Sequence, residues 1–149
     1  MNTLSAGEVI SLLGLEPHIE GGFYRQTFAD QADASGRPVS TLIYYMLTNN
    51  QSGAWHRVDS AEVWHWYAGA PLELSMAPPE GNGSVVRLGS RLETGERPQA
   101  VVPPGYWQSA RSLGAWTLVG CTVAPGFLFG TFELATPDFA PPDLVEDSG

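Results

Sequence analysis

The chain has 149 residues, of which 16 are acidic and 7 are basic, so its formal net charge is −9. A surface of this sign repels the phosphate backbone of nucleic acids and anionic membranes, and we expect neither as a partner. The length suits one domain, while the single cysteine, Cys121, excludes an internal disulfide and favours a reducing, cytoplasmic compartment.

A short helix is predicted at the N-terminus. Ser5 followed by Glu8 matches a capping box, and Gly14 offers a stop. Between them, an apolar face is formed by Val9, Ile10, Leu12 and Leu13. A helix of this length is marginal alone, so we expect this face to pack on a larger element. The first residues lack the basic and apolar stretches of a signal peptide, and we expect none.

Short segments rich in β-branched and aromatic residues follow the helix, and turn residues separate them. They are residues 23–28, 41–48, 54–58, 62–67, 72–76, 85–88, 100–102 and 116–123. No run of helices lies between them, which argues against a parallel sheet with crossover helices. The pattern predicts an all-β sandwich, jelly roll or barrel.

The predicted domain boundary lies near the C-terminus. Residues 1–136 hold the predicted helix and strands and form a single domain, whereas residues 137–149 form a Pro-rich, acidic tail. Proline cannot donate to a strand ladder, so the tail cannot join a central strand and is expected to be extended or disordered.

Residues 53–69 form the densest polar and aromatic stretch of the chain, and they hold two of its three histidines. Side chains alternate along a strand, so Glu62, Trp64 and Trp66 share one face, opposite to His65. A carboxylate beside two indoles is costly to bury alone, which indicates a ligand, a hydrogen-bonding neighbour or an open cavity. A solvent-exposed face is the alternative, and the two tryptophans argue against it.

His56 has two interpretations. It could act as a general base on a carbon acid, with Glu62 or Asp59 fixing its tautomer. The same groups could equally form a structural hydrogen bond. For His18, which follows Pro17 in a predicted loop, a structural role is favoured.

A Glu-Gly-Gly-Phe-Tyr-Arg stretch at residues 20–25 opens the first strand. Its glycines allow backbone conformations that other residues forbid. Tyr24 supplies a hydroxyl, and Arg25 supplies a planar fork suited to carboxylate or phosphate. Both are candidate ligand contacts, although a bulge with Arg25 paired to a surface acid explains the stretch equally well.

Two short motifs place polar residues as the cupin superfamily places its metal ligands. The first cupin motif has a His-x-His pair, a glutamate and a glycine, and the matching residues here are His56, Val58, Glu62 and Gly69. The second motif ends in a ligand histidine, and Gln108 takes that place after a Pro-Pro-Gly turn. The chain therefore resembles a cupin that keeps two ligand positions and lacks two.

Longer stretches resemble one uncharacterised cupin branch, the DUF985 family, described as predicted sugar epimerases. They are residues 20–25, 55–57 with 62–65, 102–105 with 107–108, and 120–127. The resemblance extends from the helix to about Leu134. It implies a cupin double-stranded β-helix, a jelly-roll barrel, with a short N-terminal helix, in which His56, Glu62 and Gln108 line one internal cavity.

The departures from the cupin motifs bear on the metal. With Val58 and Gln108 in place of imidazoles, at most His56, Glu62 and the weak amide oxygen of Gln108 remain as ligands. His65 could compensate only if a bulge turned it inward. We therefore expect no cofactor and little bound divalent metal.

The leading functional hypothesis, implied by the resemblance, is a metal-independent epimerase or isomerase acting on a small sugar or keto-sugar, including a sugar nucleotide. The expected catalytic residues are His56, Glu62 and Tyr24, and the expected ligand-binding residues are Arg25, Tyr44, Trp64 and Gln108. A non-catalytic small-molecule binding protein is the alternative, and a metal-dependent oxygenase is a third. A homodimer is also predicted, because cupins of this type commonly pair and a small β-rich domain must protect its sheet edges.

Overall fold

Two sheets enclose the interior of the protein in a computed structural model, which describes residues 4–49, 51–142 and 144–146. The elements in chain order are α1 (Ala6–Leu13), β1 (Glu16–Pro17), β2 (Phe23–Ala29), β3 (Thr41–Thr48), β4 (His56–Arg57), β5 (Ala61–Gly69), β6 (Leu72–Ala77), β7 (Gly83–Leu88), a 3-10 turn (Leu92–Thr94), β8 (Gln99–Val102), β9 (Trp107–Ser112), β10 (Trp116–Ala124), a second 3-10 turn (Phe129–Thr131), β11 (Glu133–Leu134) and β12 (Leu144–Glu146). The first sheet has the order β1-β2-β3-β10-β5-β8, and the second has the order β11-β4-β9-β6-β7-β12. The predicted all-β class is confirmed. Within the described residues, no helix is long and apolar enough to cross a bilayer.

Helix α1 forms where the capping box predicts it. The backbone N–H of Glu8 donates to Ser5 Oγ at 3.2 Å, and the N–H of Ser5 donates to the Glu8 carboxylate at 3.1 Å. Gly14 ends the helix at φ 66°, a left-handed conformation. Val9 is buried against the outer face of the first sheet, but Leu12, expected on the same face, is 71% exposed at its edge.

The space between the sheets is filled by inward-facing side chains of alternating strand positions. The fully buried members of this core are Tyr45, Leu47, Trp64, Leu72, Leu74, Leu88, Val102, Val119 and Cys121. Burial of one face of each strand is the main stabilising contribution in such a structure. Cys121 also borders a cavity, so the core and the cavity are adjacent.

Strand β9 (Trp107–Ser112) was not predicted from the sequence, yet it lies between β4 and β6 in the second sheet. Its residues include Gln108, Ser109 and Arg111, which have weak strand preference. The register to β6 over six residue pairs, from Leu72 opposite Ser112 to Ala77 opposite Trp107, decides its conformation. Tertiary pairing therefore overrides local preference here.

The proline-rich tail contributes an edge to the second sheet. Its strand β12 runs parallel to β7, with Val145 opposite Ser84. The prolines precede β12, as expected for residues that lack a backbone donor. Asp143 and Asp147, counted among the acidic residues of the tail, lie outside the described residues.

Candidate functional site

A cavity of about 200 Å³ opens where β2, β4, β5 and β10 converge. Its charged lining residues are Glu20, His56 and Glu62, and its aromatic lining residues are Tyr24, Phe127, Phe129 and Phe132. His56 comes from the second sheet and Glu62 from the first, whereas Glu20 comes from the turn between β1 and β2. The cavity therefore lies inside the barrel, where the cupin resemblance places the functional site.

Glu20 and His56 form a buried ion pair. His56 Nε2 lies 2.8 Å from Glu20 Oε2, and His56 Nδ1 lies 2.9 Å from the carbonyl oxygen of Ala54. A carbonyl and a carboxylate only accept hydrogen bonds, so both ring nitrogens donate and the ring is an imidazolium. Burial alone would lower the pKa of His56, but the charge and hydrogen bond of Glu20, with Glu62, raise it to about 9. The pKa of Glu20 is lowered, because the charge and hydrogen bond of His56 outweigh its burial.

The turn that presents Glu20 depends on two glycines. Gly21 and Gly22 have φ values of 99° and 79°, a region that other residues rarely adopt. A Cβ on Gly22 would lie 2.7 Å from the carbonyl oxygen of Met46, so no side chain fits there. The hydroxyl of Tyr45 donates to the Gly21 carbonyl at 2.7 Å and ties the turn to β3. These restraints direct the Glu20 carboxylate to His56.

Glu62 is held by a second buried network. Trp64 Nε1 donates to Gln108 Oε1 at 3.0 Å, and Gln108 Nε2 donates to Glu62 Oε1 at 2.9 Å. An indole nitrogen is only a donor, which fixes the orientation of the amide. Burial raises the pKa of Glu62, and the charge of Glu20 adds to that rise, against opposing contributions from His56 and Gln108. The carboxyl of Glu62 therefore favours its neutral form more than an exposed glutamate does.

His18 is a lining residue that sequence reasoning assigned to structure alone. Its Nδ1 accepts a hydrogen bond from the backbone N–H of Glu20 at 3.1 Å, which leaves the proton of the neutral ring on Nε2. Burial lowers the pKa of His18, although the charge of Glu20 opposes this effect. The signal in the sequence was a histidine two residues before a glutamate and a glycine pair. Cys121 also lines the cavity, and burial with the charges of Glu62 and Glu20 raises its thiol pKa well above the usual value.

The aromatic segment, residues 127–132, forms one wall of the cavity. The ring of Phe132 stacks on the imidazole of His56 at 5.2 Å and 24°. The rings of Phe127 and Phe129 meet edge to face at 4.9 Å and 83°. The wall separates the charged groups from solvent. Because Phe129 is 56% exposed, the cavity is partly open to solvent at this residue.

Two arginines anchor this segment at its ends. Arg37 donates from Nε to the carbonyl oxygen of Gly126 at 2.8 Å and pairs with Asp59 at 2.7 Å. Arg57 pairs with Glu133 at 2.9 Å, in the strand that follows the segment. Asp59, which the sequence offered as an orienting group for His56, therefore binds Arg37 instead.

The predicted site residues divide into three groups. His56, Glu62 and Tyr24 line the cavity, and Gln108 lies directly behind Glu62 without lining it. Trp64 is 1% exposed in the core, where a ligand in the cavity does not reach it. Arg25 and Tyr44 face outward, in contrast to the expectation that they bind ligand.

Strand alternation explains the outward position of Arg25 and Tyr44. They are directly opposite each other in the β2–β3 pair, next to the inward-facing Tyr24 and Tyr45. The guanidinium of Arg25 donates to the carbonyl oxygen of Leu13 at 3.1 Å, at the end of α1. Neighbours along a strand point to opposite faces, so Tyr24 and Arg25 cannot both enter one cavity.

The donor set of this site does not fit a cupin metal. Both nitrogens of His56 are taken by protein acceptors, and the amide oxygen of Gln108 is taken by Trp64. Val58 contributes only an apolar side chain to the lining. His65 bonds Thr122 on the outer face, so no bulge turns it inward. Within residues 4–49, 51–142 and 144–146, no three His, Cys, Asp or Glu side chains are grouped to hold a metal ion.

Comparisons with known proteins agree with this architecture. The family described as "Cupin superfamily (DUF985)" matches residues 7–135. Protein SO0799 from Shewanella oneidensis is 37% identical, with a TM-score of 0.86 over 90% of this chain and 86% of that chain. A hypothetical protein from Leishmania major is 30% identical, with a TM-score of 0.82 over 89% of this chain and 88% of that chain.

A more distant likeness concerns the fold alone. Oxalate decarboxylase from Bacillus subtilis is 13% identical, with a TM-score of 0.62 over 79% of this chain and 29% of that chain. No curated protein matches the sequence. The jelly-roll barrel implied by the sequence resemblance is confirmed.

Proposed function

We propose that this chain, which belongs to the DUF985 family of the cupin superfamily, binds a small polar molecule in its barrel and transfers a proton on it without a metal. One observation carries the proposal. Among the ionisable side chains of the cavity, three buried ones have surroundings that move their pKa values in opposite directions: up to about 9 for His56, up for Glu62 and down for Glu20. Paired groups with diverging pKa values are typical of sites that divide acid and base roles.

The roles follow from the protonation states. His56 is charged at neutral pH, so it does not serve as the general base that the sequence suggested. Glu62, with its raised pKa, is better suited to take and return a proton. His18 offers an Nε2–H, and Tyr24 offers a hydroxyl, to stabilise negative charge developing on a ligand oxygen. Abstraction of a proton next to a carbonyl group needs such a combination of base and donors.

The size of the cavity limits the ligand. Its volume of about 200 Å³ is below the roughly 300–1,000 Å³ typical of pockets for drug-sized ligands. The reacting part of the ligand is therefore of monosaccharide size or smaller. If the ligand is a sugar nucleotide, its nucleotide part lies outside the barrel.

A non-catalytic binding protein is the second candidate, and a specific observation favours it. Every buried side-chain nitrogen or oxygen of the described, unexposed residues has a hydrogen-bond partner. The hydrogen bonds of the polar network are therefore complete without a ligand, so a structural role explains the network without any catalysis. A metal-dependent oxygenase is disfavoured by the donor set described above.

Solvent exchange tests the proposal without knowledge of the product. The protein is incubated in D2O with a panel of small sugars, keto-sugars and their amino derivatives, and loss of carbon-bound protons is followed by NMR. We expect exchange of at least one compound by the wild type, and a reduction of about 100-fold or more in Glu62→Gln. Glu73→Gln is the matched control, because Glu73 pairs with Arg111 at the surface.

The outcomes separate the two candidates. Binding of a panel compound without any exchange supports the non-catalytic protein and contradicts the proton-transfer role. Unchanged exchange in a correctly folded Glu62→Gln variant contradicts the assignment of Glu62. Melting curves of both variants serve as the control for an intact fold.

A further inference from the structure

The cavity lacks a free positive charge. Every basic residue of the chain is an arginine, and none of the seven lines the cavity. The two nearest to the aromatic segment, Arg37 and Arg57, are paired with Asp59 and Glu133. The guanidinium of Arg25 bonds the end of α1. A phosphate or carboxylate in this cavity therefore finds no arginine to bind it.

His56 does not supply the missing charge. Its positive charge is neutralised by Glu20 at 2.8 Å, and its two N–H groups donate to Glu20 and Ala54. A buried anion needs a paired, hydrogen-bonding cation, and the remaining donors of the lining, Nε2–H of His18 and the hydroxyl of Tyr24, are neutral. The remaining ionisable lining carboxyl is Glu62, whose hydrogen-bond donors are neutral groups, the amide of Gln108 at 2.9 Å and the thiol of Cys121. Glu20 and His56 cancel each other's charge, so ionisation of Glu62 gives the cavity a net negative charge.

The walls of the cavity suit a positive charge. The side chains of Phe127, Phe129 and Phe132 line one side, and the face of an aromatic ring carries the negative end of its quadrupole. Phe132 already lies nearly parallel to the imidazolium of His56, at 5.2 Å. Phe127 and Phe129 are nearly perpendicular to each other. Rings in these two orientations can contact a compact group from two directions.

We infer that the cavity takes a small organic cation, an alkylammonium or methylated ammonium group, with its charge against Glu62 and its carbon atoms against Phe127, Phe129 and Phe132. This inference rests on the proposed function and names the ligand class for the same site. If a larger ligand carries a phosphate or carboxylate group, we expect that group to lie outside the barrel. An amine-bearing small molecule then fits the site better than an acidic sugar derivative.

Three probes of matched shape test the inference on the intact protein by calorimetry or NMR titration. Choline is the cation, 3,3-dimethylbutan-1-ol is its neutral carbon isostere, and 3,3-dimethylbutyrate is an anion of similar size. We expect choline to bind about tenfold tighter than the alcohol, and the butyrate to bind weakest. Equal binding of choline and the alcohol, tightest binding of the butyrate, or no binding of choline overturns the inference.

Two variants locate the binding energy. Phe129→Leu keeps an apolar side chain but removes a ring at a position that is 56% exposed, so the fold tolerates it. It is expected to weaken choline binding severalfold while leaving the alcohol unchanged. Phe28→Leu is the control, because Phe28 is similarly exposed at 51% and does not line the cavity. An equal loss for both probes in Phe129→Leu shows simple apolar packing and contradicts the inference.

Failure of this inference is distinguishable from failure of the proposed function. If the alcohol or the butyrate binds best, or if neutral panel sugars exchange their protons in D2O while their amino derivatives do not, the ligand class is wrong and the cavity remains the functional site. If neither the probes nor any panel compound perturbs the resonances of His18 and Phe129, both the inference and the proposed function are wrong.

Discussion

Nε2 of His56 lies 2.8 Å from Oε2 of Glu20, and the two side chains are 5% and 8% exposed. With Nδ1 bonded to the carbonyl oxygen of Ala54, this contact leaves neither ring nitrogen of His56 free to bind a metal. The histidine of the first cupin motif is thereby converted into the cation of a buried ion pair.

The ion pair predicts a strong, coupled effect on stability. Glu20→Gln leaves the imidazole of His56 buried without its counter-charge, and we expect a loss of about 3–5 kcal/mol in the free energy of unfolding. His56→Gln should cost a similar amount, but the double variant should cost much less than the sum. Urea denaturation of the three variants measures this, and additive losses would contradict the pairing.

The pH dependence of stability provides a second test. The pKa of His56 is about 9 in the folded state, against 6.5 for an unperturbed histidine. A raised pKa contributes stability that is complete below about pH 6.5 and is lost as the pH rises through about 9. We expect the free energy of unfolding to fall by up to about 3 kcal/mol over this range. His56→Gln should remove most of this slope.

Metal content is a third prediction. Because the nitrogens of His56 and the amide oxygen of Gln108 are already bonded, the purified protein should hold far less than one equivalent of transition metal. Added iron, manganese, nickel or zinc should not raise its melting temperature. Elemental analysis after dialysis, with a melting curve at each metal, measures both quantities. Stoichiometric metal that stabilises the fold would restore the oxygenase hypothesis.

His18 gives a fourth prediction, which concerns activity rather than stability. His18→Phe keeps an aromatic ring beside Tyr24 but removes the Nε2 donor, and we expect the D2O exchange rate to fall by about 100-fold. Since His18 must be neutral to keep Nδ1 as an acceptor, the wild-type rate should also fall when acid protonates it. His65→Phe on the outer face is the control. Equal rates in the wild type and His18→Phe would assign His18 to structure.

A fifth prediction concerns the homodimer. Strand β8 forms an edge of the first sheet, and Val101 on it is 53% exposed. Pairing of this edge with a second copy would satisfy its free backbone groups. Light scattering should give the mass of two chains for the wild type and of one chain for Val101→Lys. Leu92→Lys, at a position exposed to 57% in a 3-10 turn, should remain a dimer. A monomeric wild type would contradict the prediction.

Local signals were sufficient for most of the fold. The Ser5 and Glu8 pair specified the start of α1, and β-branched and aromatic runs specified strands such as β3 and β10. Strand β9 was missed because its polar residues carry no strand signal, and its conformation depends on pairing with β6. Pairing across 30 or more residues is not visible in a local window.

The candidate site was predictable where strand alternation governs it. The inward direction of Glu62 followed from its strand position, and the proximity of Gln108 followed from the cupin resemblance. Glu20 and His18 were missed as site residues because they belong to a turn. Their direction depends on two positive φ angles and on hydrogen bonds to Ala54 and Tyr45, which are distant in sequence.

The anchoring of residues 127–132 by Arg37 and Arg57 has a kinetic consequence. Phe129 in this segment is 56% exposed at the partly open side of the cavity, so we expect the position of the segment to affect how fast a molecule enters and leaves. Both ion pairs are partly exposed, and dissolved salt screens charges of this kind. We therefore expect higher ionic strength to increase both the rate at which a ligand binds and the rate at which it is released. We expect the barrel itself to stay folded at the same ionic strength, because strand pairing and an apolar core hold it together.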